Sequence, residues 1–171
     1  MTKFYKPLTF LIMKKLLFPL VLATLIFTSC ENKTEKADTF DIEATKKEIE
    51  DWNVNFEAIV KNKDSVGFAN LFTEDAVRMQ PNSPQVQGRA NILKSVIEPF
   101  KFIGSTNLTM QDAMGDENTI TTFGTYEHFS PDGAPLEKGK YMGIFKRING
   151  KLVVIRDIWN SDSAPAAPAS K

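Results

Sequence analysis

Near Gly104 the spacing of apolar residues changes from every third or fourth position to every second. A chain with that change must lay amphipathic helices against a sheet, because each kind of element has one apolar face to bury. From Asp41, the residues Ile42, Thr45, Ile49, Trp52, Phe56, Ile59 and Val60 recur at helical spacing with charges between them, which predicts one long helix. Asp64-Ser65 offers a new N-cap, so a short second helix is expected over residues 66–72, ended by a turn at Thr73-Glu74-Asp75. Residues 76–80 read as a short strand and Pro81-Asn82-Ser83-Pro84 as a loop. Residues 88–100, with Ile92, Leu93, Val96 and Ile97, read as a third helix that stops near Pro99.

Beyond Gly104, Leu108, Met110 and nearby threonines predict a strand, followed by a turn at Gly115-Asp116-Glu117-Asn118. Residues 119–129, rich in Thr, Tyr and Phe, predict a second strand, and Pro131-Asp132-Gly133 a turn. Strands over 138–147 and 151–159 are joined by Asn149-Gly150, a strong two-residue hairpin signal. The sum is an α+β fold in which three helices pack on a mainly antiparallel sheet. A length of 171 residues allows one such core with tails.

The tails are distinct in composition. Residues 16–27 are almost entirely apolar, follow Lys14-Lys15 and precede Thr28-Ser29-Cys30, a signal-peptide pattern. Twelve residues of helix span about 18 Å, short of the ~30 Å hydrocarbon core, so a permanent span is disfavoured. Met13 reads as a natural start within the longer N-terminus. Phe27-Thr28-Ser29-Cys30 resembles a lipobox with Phe in place of the usual Leu, which implies that Cys30 is acylated and becomes the first mature residue of a bacterial lipoprotein. An ordinary signal peptide with a chance cysteine is the alternative. Cys30 is the only cysteine, so no disulfide can form within the chain. The expected arrangement is a signal peptide over 1–29, a lipidated Cys30 and flexible tether over 30–40, a domain over 41–160 and a disordered Ala-, Pro- and Ser-rich tail over 161–171. The expected location is the bacterial cell envelope, at a membrane through the lipid on Cys30.

Removing residues 1–29 removes four lysines and no acid, so the mature charge is 17 minus 21, or −4. An acidic chain without a basic stripe argues against nucleic-acid binding.

Two groups of residues suggest a family. Lys63-Asp64-Ser65-Val66, Leu71-Phe72-Thr73-Glu74-Asp75-Ala76-Val77, Pro81 and Gly88-Arg89 resemble the first half of SnoaL-like and DUF4440 domains of the NTF2-like superfamily. Lys138-Gly139-Lys140-Tyr141, Phe145 through Lys151 and Asp157-Ile158-Trp159-Asn160 are similar to their closing hairpin. The resemblance covers residues 41–160 and implies a cone, in which a curved sheet wraps the first helix and leaves a pocket at its open end. Members include enzymes and noncatalytic binding domains, so the fold does not settle function. Ketosteroid isomerases of this superfamily carry a Tyr at the position of Phe56, an Asp base at that of Gln80 and an Asp donor near Met142 or Gly143. A phenyl ring cannot donate to an oxyanion and an amide cannot serve as the base, so that chemistry is not expected.

Strand alternation proposes the pocket lining. With Phe145 and Trp159 inward, Tyr141 and Gly143 join them from one strand, Val153, Ile155 and Asp157 from its partner, and Gly124, Tyr126 and His128 from the strand before. A one-residue slip would invert each list. Asp157 and His128 then face one concave surface and are the candidate catalytic residues, the carboxylate orienting an imidazole that titrates near neutrality. The plainer alternative is a structural Asp157 and a His128 exposed at a strand end. Trp52, Phe56, Gln80, Tyr126, Tyr141, Phe145 and Trp159 are the candidate ligand-binding residues, with Trp52 and Phe56 equally readable as core. Asp75 and Arg89 read as catalytic candidates or as structural partners. One His and one Cys leave only scattered carboxylates, so no metal site and no cofactor are expected. Two functions remain open: a tethered domain binding a small, partly apolar molecule, its sheet available for a homodimer, and a cofactor-independent cyclase, dehydratase or isomerase.

Overall fold

The computed structural model describes residues 40–163. The expected signal peptide, the Cys30 anchor, most of the tether and most of the C-terminal tail lie outside the described residues.

Helix α1 (Ile42–Lys61) begins where Asp41 caps it, its carboxylate accepting from the backbone N–H groups of Glu43 and Ala44 at 3.0 and 3.1 Å. Helix α2 (Ser65–Asn70) is capped by Asp64, which accepts from Gly67 N–H at 2.7 Å. A Cβ on Gly67 would lie 2.2 Å from the Asp64 carboxylate, so the cap itself demands glycine there. Strand β1 (Phe72–Met79) and the two-residue β2 (Val86–Gln87) precede α3 (Arg89–Ile97) and the single turn α4 (Pro99–Phe102). Strands β3 (Ser105–Gly115), β4 (Thr119–Phe129), β5 (Pro135–Ile148) and β6 (Lys151–Ser161) complete the elements of the described residues.

All six strands form one sheet in the order β2-β1-β6-β5-β4-β3, antiparallel except for the parallel pair β1–β6. Helices lie on its inner face. Ile49 and Val60 of α1, Phe68 of α2, Phe72 and Ala76 of β1, and Ile92 and Val96 of α3 are buried together with Ile120, Phe145, Leu152 and Val154 of the sheet. The β5–β6 turn has Asn149 and Gly150 at φ 52° and 76°, the paired positive dihedrals of a type I′ turn that Asn-Gly favours.

Three local expectations are corrected. Thr73-Glu74-Asp75 is not a turn but part of β1, where the pairing with β6 slips between Phe72 and Val77. The Thr73 hydroxyl donates to Asp75 at 2.9 Å within this irregular stretch, so turn-forming residues make a bulge instead of a chain reversal. The third helix ends at Ile97, and Pro99, lacking an N–H, starts the separate α4 turn. Val153 and Ile155 do not belong to the inward set. The β5–β6 register shifts between Ile144, opposite Arg156, and Phe145, opposite Val154, leaving Ile155 as the extra residue. This bulge reverses the parity, so Leu152 and Val154 are buried before it while Asp157 and Trp159 face inward after it.

Candidate functional site

The concave face of the sheet and one side of α1 enclose a cavity of about 90 Å³. Its wall is largely aromatic. Trp52 and Phe56 stack along α1 with ring centres 5.5 Å apart, and Phe145 meets Trp52 edge-on at 5.0 Å. Tyr126 and His128 alternate on β4, 4.8 Å apart, and Tyr141 and Trp159 face each other across β5 and β6. An adjoining cleft of about 400 Å³ shares Phe56, Arg78, His128 and Trp159 with the cavity and extends to Gln80, Glu137 and the loop at Pro81.

The polar end is organised by Arg78, a residue not singled out from the sequence. Its Nε donates to Asp157 Oδ2 at 3.1 Å, with only 11% of its side chain and 22% of that of Asp157 exposed. The guanidinium carbon lies 4.6 Å from the Trp159 ring centre and 4.9 Å from that of Phe68. Burial pushes the Asp157 carboxyl above its ordinary range, and the charge and hydrogen bond of Arg78 pull it part of the way back. His128 Nδ1 lies 2.7 Å from Thr106 Oγ1 and shares a hydrogen bond with it. Burial holds the imidazole below its usual pKa; Glu137 across the strand opposes this and Arg78 adds to it. His128 is therefore neutral near pH 7.

Asp157 and His128 thus line one cavity, but each hydrogen-bonds another residue: the carboxylate is held by Arg78 and the imidazole by Thr106. Trp52, Phe56, Tyr126, Tyr141, Phe145 and Trp159 all line the inner cavity, whereas Gln80 lies in the adjoining cleft. The Tyr126 hydroxyl donates to the Asn160 carbonyl at 3.2 Å, and burial, followed by the nearby Glu137, raises its pKa. Of the two positions compared with the isomerase donor, Gly143 faces the cavity and Met142 is 45% exposed on the other face. Arg89 is structural: it donates to the Phe72 carbonyl at 2.8 Å and pairs with Glu74 at 2.6 Å. Asn53, buried beside Trp52, was also missed, because a single amide between Trp52 and Val54 on a helix carries no distinctive signal. Arg78 could have been found, since it lies two residues before Gln80 on a strand and shares its face. Among the described residues, no group of three or more His, Cys, Asp or Glu side chains is placed to hold a metal ion.

The sequence model of the SnoaL-like domain matches residues 54–155. The chain belongs to the SnoaL-like domain family. Solved structures show the same NTF2-like fold at low sequence identity. An NTF-2 like protein from Shewanella oneidensis superposes with TM-score 0.59 at 13% identity, over 67% of this chain and 98% of the other. ActVI-ORFA from Streptomyces coelicolor gives 0.54 at 20% identity, over 70% and 98%. A ketosteroid isomerase-like protein from Erwinia carotovora atroseptica gives 0.57 at 14% identity, over 72% and 95%. A search of curated proteins returns no match. In this SnoaL-like domain, the aromatic cavity and the Arg78–Asp157 pair occupy the inside of the cone.

Proposed function

We propose that this SnoaL-like domain is a binding module of the bacterial cell envelope, tethered to a membrane by acylated Cys30 and holding a small, partly apolar molecule in its cone. The supporting observation is the state of the cavity's ionisable groups. Asp157 Oδ2 is held by Arg78 and His128 Nδ1 by Thr106, so the two residues are not hydrogen-bonded to each other as an acid–base pair with an oriented imidazole requires. What remains is a concave, mostly aromatic surface with a few fixed polar groups, the usual make-up of a small-molecule site. Anchoring would come from the acyl chains, each buried methylene contributing about 0.8 kcal/mol.

The second reading, a cofactor-independent cyclase, dehydratase or isomerase, draws on one observation. Asp157 with a raised pKa and His128 with a lowered one share a cavity, and environments that move two titratable groups from their ordinary values are how acid–base sites are tuned. The ketosteroid isomerase-like structural neighbour belongs to this reading, and the capture of Asp157 by Arg78 weighs against it.

Asp157→Asn and His128→Ala separate the two. Under the binding reading both variants, checked for folding, keep affinity for an apolar ligand within a few fold. A roughly 10²-fold loss of turnover in each, for any compound the wild type transforms, would establish catalysis instead. For the anchor, metabolic labelling with a fatty-acid analogue should mark the wild type and not Cys30→Ala, and equal labelling of both would end the lipoprotein reading.

A further inference from the structure

Two hydrogen-bonding atoms in the wall of the cavity are buried without a partner in the protein: the indole Nε1 of Trp52 and the hydroxyl of Tyr141. Buried polar groups are nearly always paired, and an unmet one costs about 1–3 kcal/mol, so two in the wall of one small cavity call for an explanation. Asn53 and Thr122 lie close enough to the Tyr141 hydroxyl to affect its titration, but neither completes a hydrogen bond to it, and the Thr122 hydroxyl donates to the Asp112 carbonyl at 3.2 Å. The two residues come from different elements, α1 and β5, and both line the cavity, where the Phe145 ring meets Trp52 edge-on.

The chemistry of the two groups limits what can satisfy them. Indole N–H only donates, so its partner must be an acceptor. Burial keeps the Tyr141 hydroxyl above its ordinary pKa, so it is protonated at neutral pH and donates as well. Charge limits the partner further. The positive charge of Arg78 is spent on Asp157, His128 is held neutral, and Glu137 at the cleft is an acid. A carboxylate or phosphate on the ligand would lose its hydration without gaining a free cation, a cost that an uncharged oxygen avoids.

We propose that Trp52 and Tyr141 are the polar recognition element of this cavity, and that they select an uncharged ring compound presenting one acceptor oxygen, a carbonyl or ether, against an apolar body packed on Phe56, Phe145 and Trp159. This rests on the reading of the cone as a small-molecule site and adds the ligand's chemical class.

Three probes built on one bicyclic frame test it by calorimetry: 1-indanone, with a neutral acceptor; indane, with none; and indane-1-carboxylate, with a charge. The expected result is 1-indanone binding about tenfold more tightly than indane, the size of one net buried hydrogen bond, with the carboxylate no tighter than indane. In Trp52→Phe and in Tyr141→Phe the ratio of 1-indanone to indane affinity, measured on the same variant, should fall to about twofold or less. In ¹H–¹⁵N spectra of the wild type, the Trp52 indole N–H should move with 1-indanone and much less with indane. Equal binding of 1-indanone and indane would overturn the donor assignment while leaving the pocket intact. So would a crystal structure of the complex with water, not the ketone oxygen, on both donors. Preferential binding of the carboxylate would overturn the charge argument. Binding of none of the three by the folded protein would remove the small-molecule reading and this inference together.

Discussion

Replacing Arg78 by Met keeps most of the side-chain volume and removes the positive charge that stacks on Trp159 and Phe68, leaving the Asp157 carboxylate, 22% exposed, with no cation. Breaking a buried pair by removing one partner costs about 3–5 kcal/mol, and loss of stacking on two aromatic rings adds about 0.5–1 kcal/mol at each before overlap between the effects is counted. Solvent reaching Asp157 argues for the lower part of the range, so the expected loss is about 3 kcal/mol, a large share of the 5–15 kcal/mol of an ordinary domain. The penalty should also depend on pH in a defined direction. Burial already raises the Asp157 pKa and Arg78 opposes it, so without Arg78 the folded-state pKa rises further. A carboxyl with a raised folded-state pKa favours the native state below its unfolded pKa of about 3.9, and that contribution is lost as pH rises through the folded value. The gap between wild type and Arg78→Met should therefore be larger at pH 7 than at pH 4.5. Urea unfolding followed by far-UV circular dichroism at both pH values measures it. The double variant Arg78→Met/Asp157→Leu, which removes both charges, should recover most of the loss. A single-variant cost below about 1 kcal/mol, or a gap that widens towards acid, would refute the buried pair as described.

Burial keeps His128 neutral, with its folded-state pKa below the ordinary 6.5, so its contribution is complete above about pH 6.5 and is lost as pH falls through the folded value. Wild type should accordingly lose stability between pH 7 and pH 5 relative to His128→Asn, and matched urea curves for the two proteins would show the idea wrong by running parallel. Asp64→Ala should cost about 1 kcal/mol through loss of the α2 cap at 2.7 Å, measured as a shift in urea midpoint at unchanged slope.

The long first helix, the Asn149-Gly150 hairpin and strand β4 were legible in the sequence because each rests on local rules: apolar spacing along α1, positive dihedrals at an Asn-Gly pair, and a run of Thr and aromatic residues. The bulge at Ile155 was not, since an extra residue in one strand depends on its partner and leaves no mark in the alternation of hydrophobic and polar side chains. Its effect on the site was nevertheless small, because the parity was anchored at Trp159 and so held for Asp157, on the same side of the bulge. The strand character of Thr73-Glu74-Asp75 was hidden for a related reason: parallel pairing with β6, some eighty positions away, overrides a local turn preference. Arg78 was not singled out, because Phe68 and Trp159 come to flank its guanidinium only in the tertiary fold.

The central claim, that the inside of the cone is a small-molecule site, is tested most directly by a ¹H–¹⁵N NMR titration of the assigned protein with indane, alongside the same titration of Gly143→Leu. A side chain at Gly143 would project into the cavity, its Cβ 3.2 Å from the Phe145 ring. The account predicts saturable shifts confined to residues around Trp52, Tyr141, Phe145 and Trp159 in the wild type, and their loss in the folded Gly143→Leu protein. Shifts centred on the opposite face of the sheet, at Met142 and Ile158, or undiminished in Gly143→Leu, would contradict it.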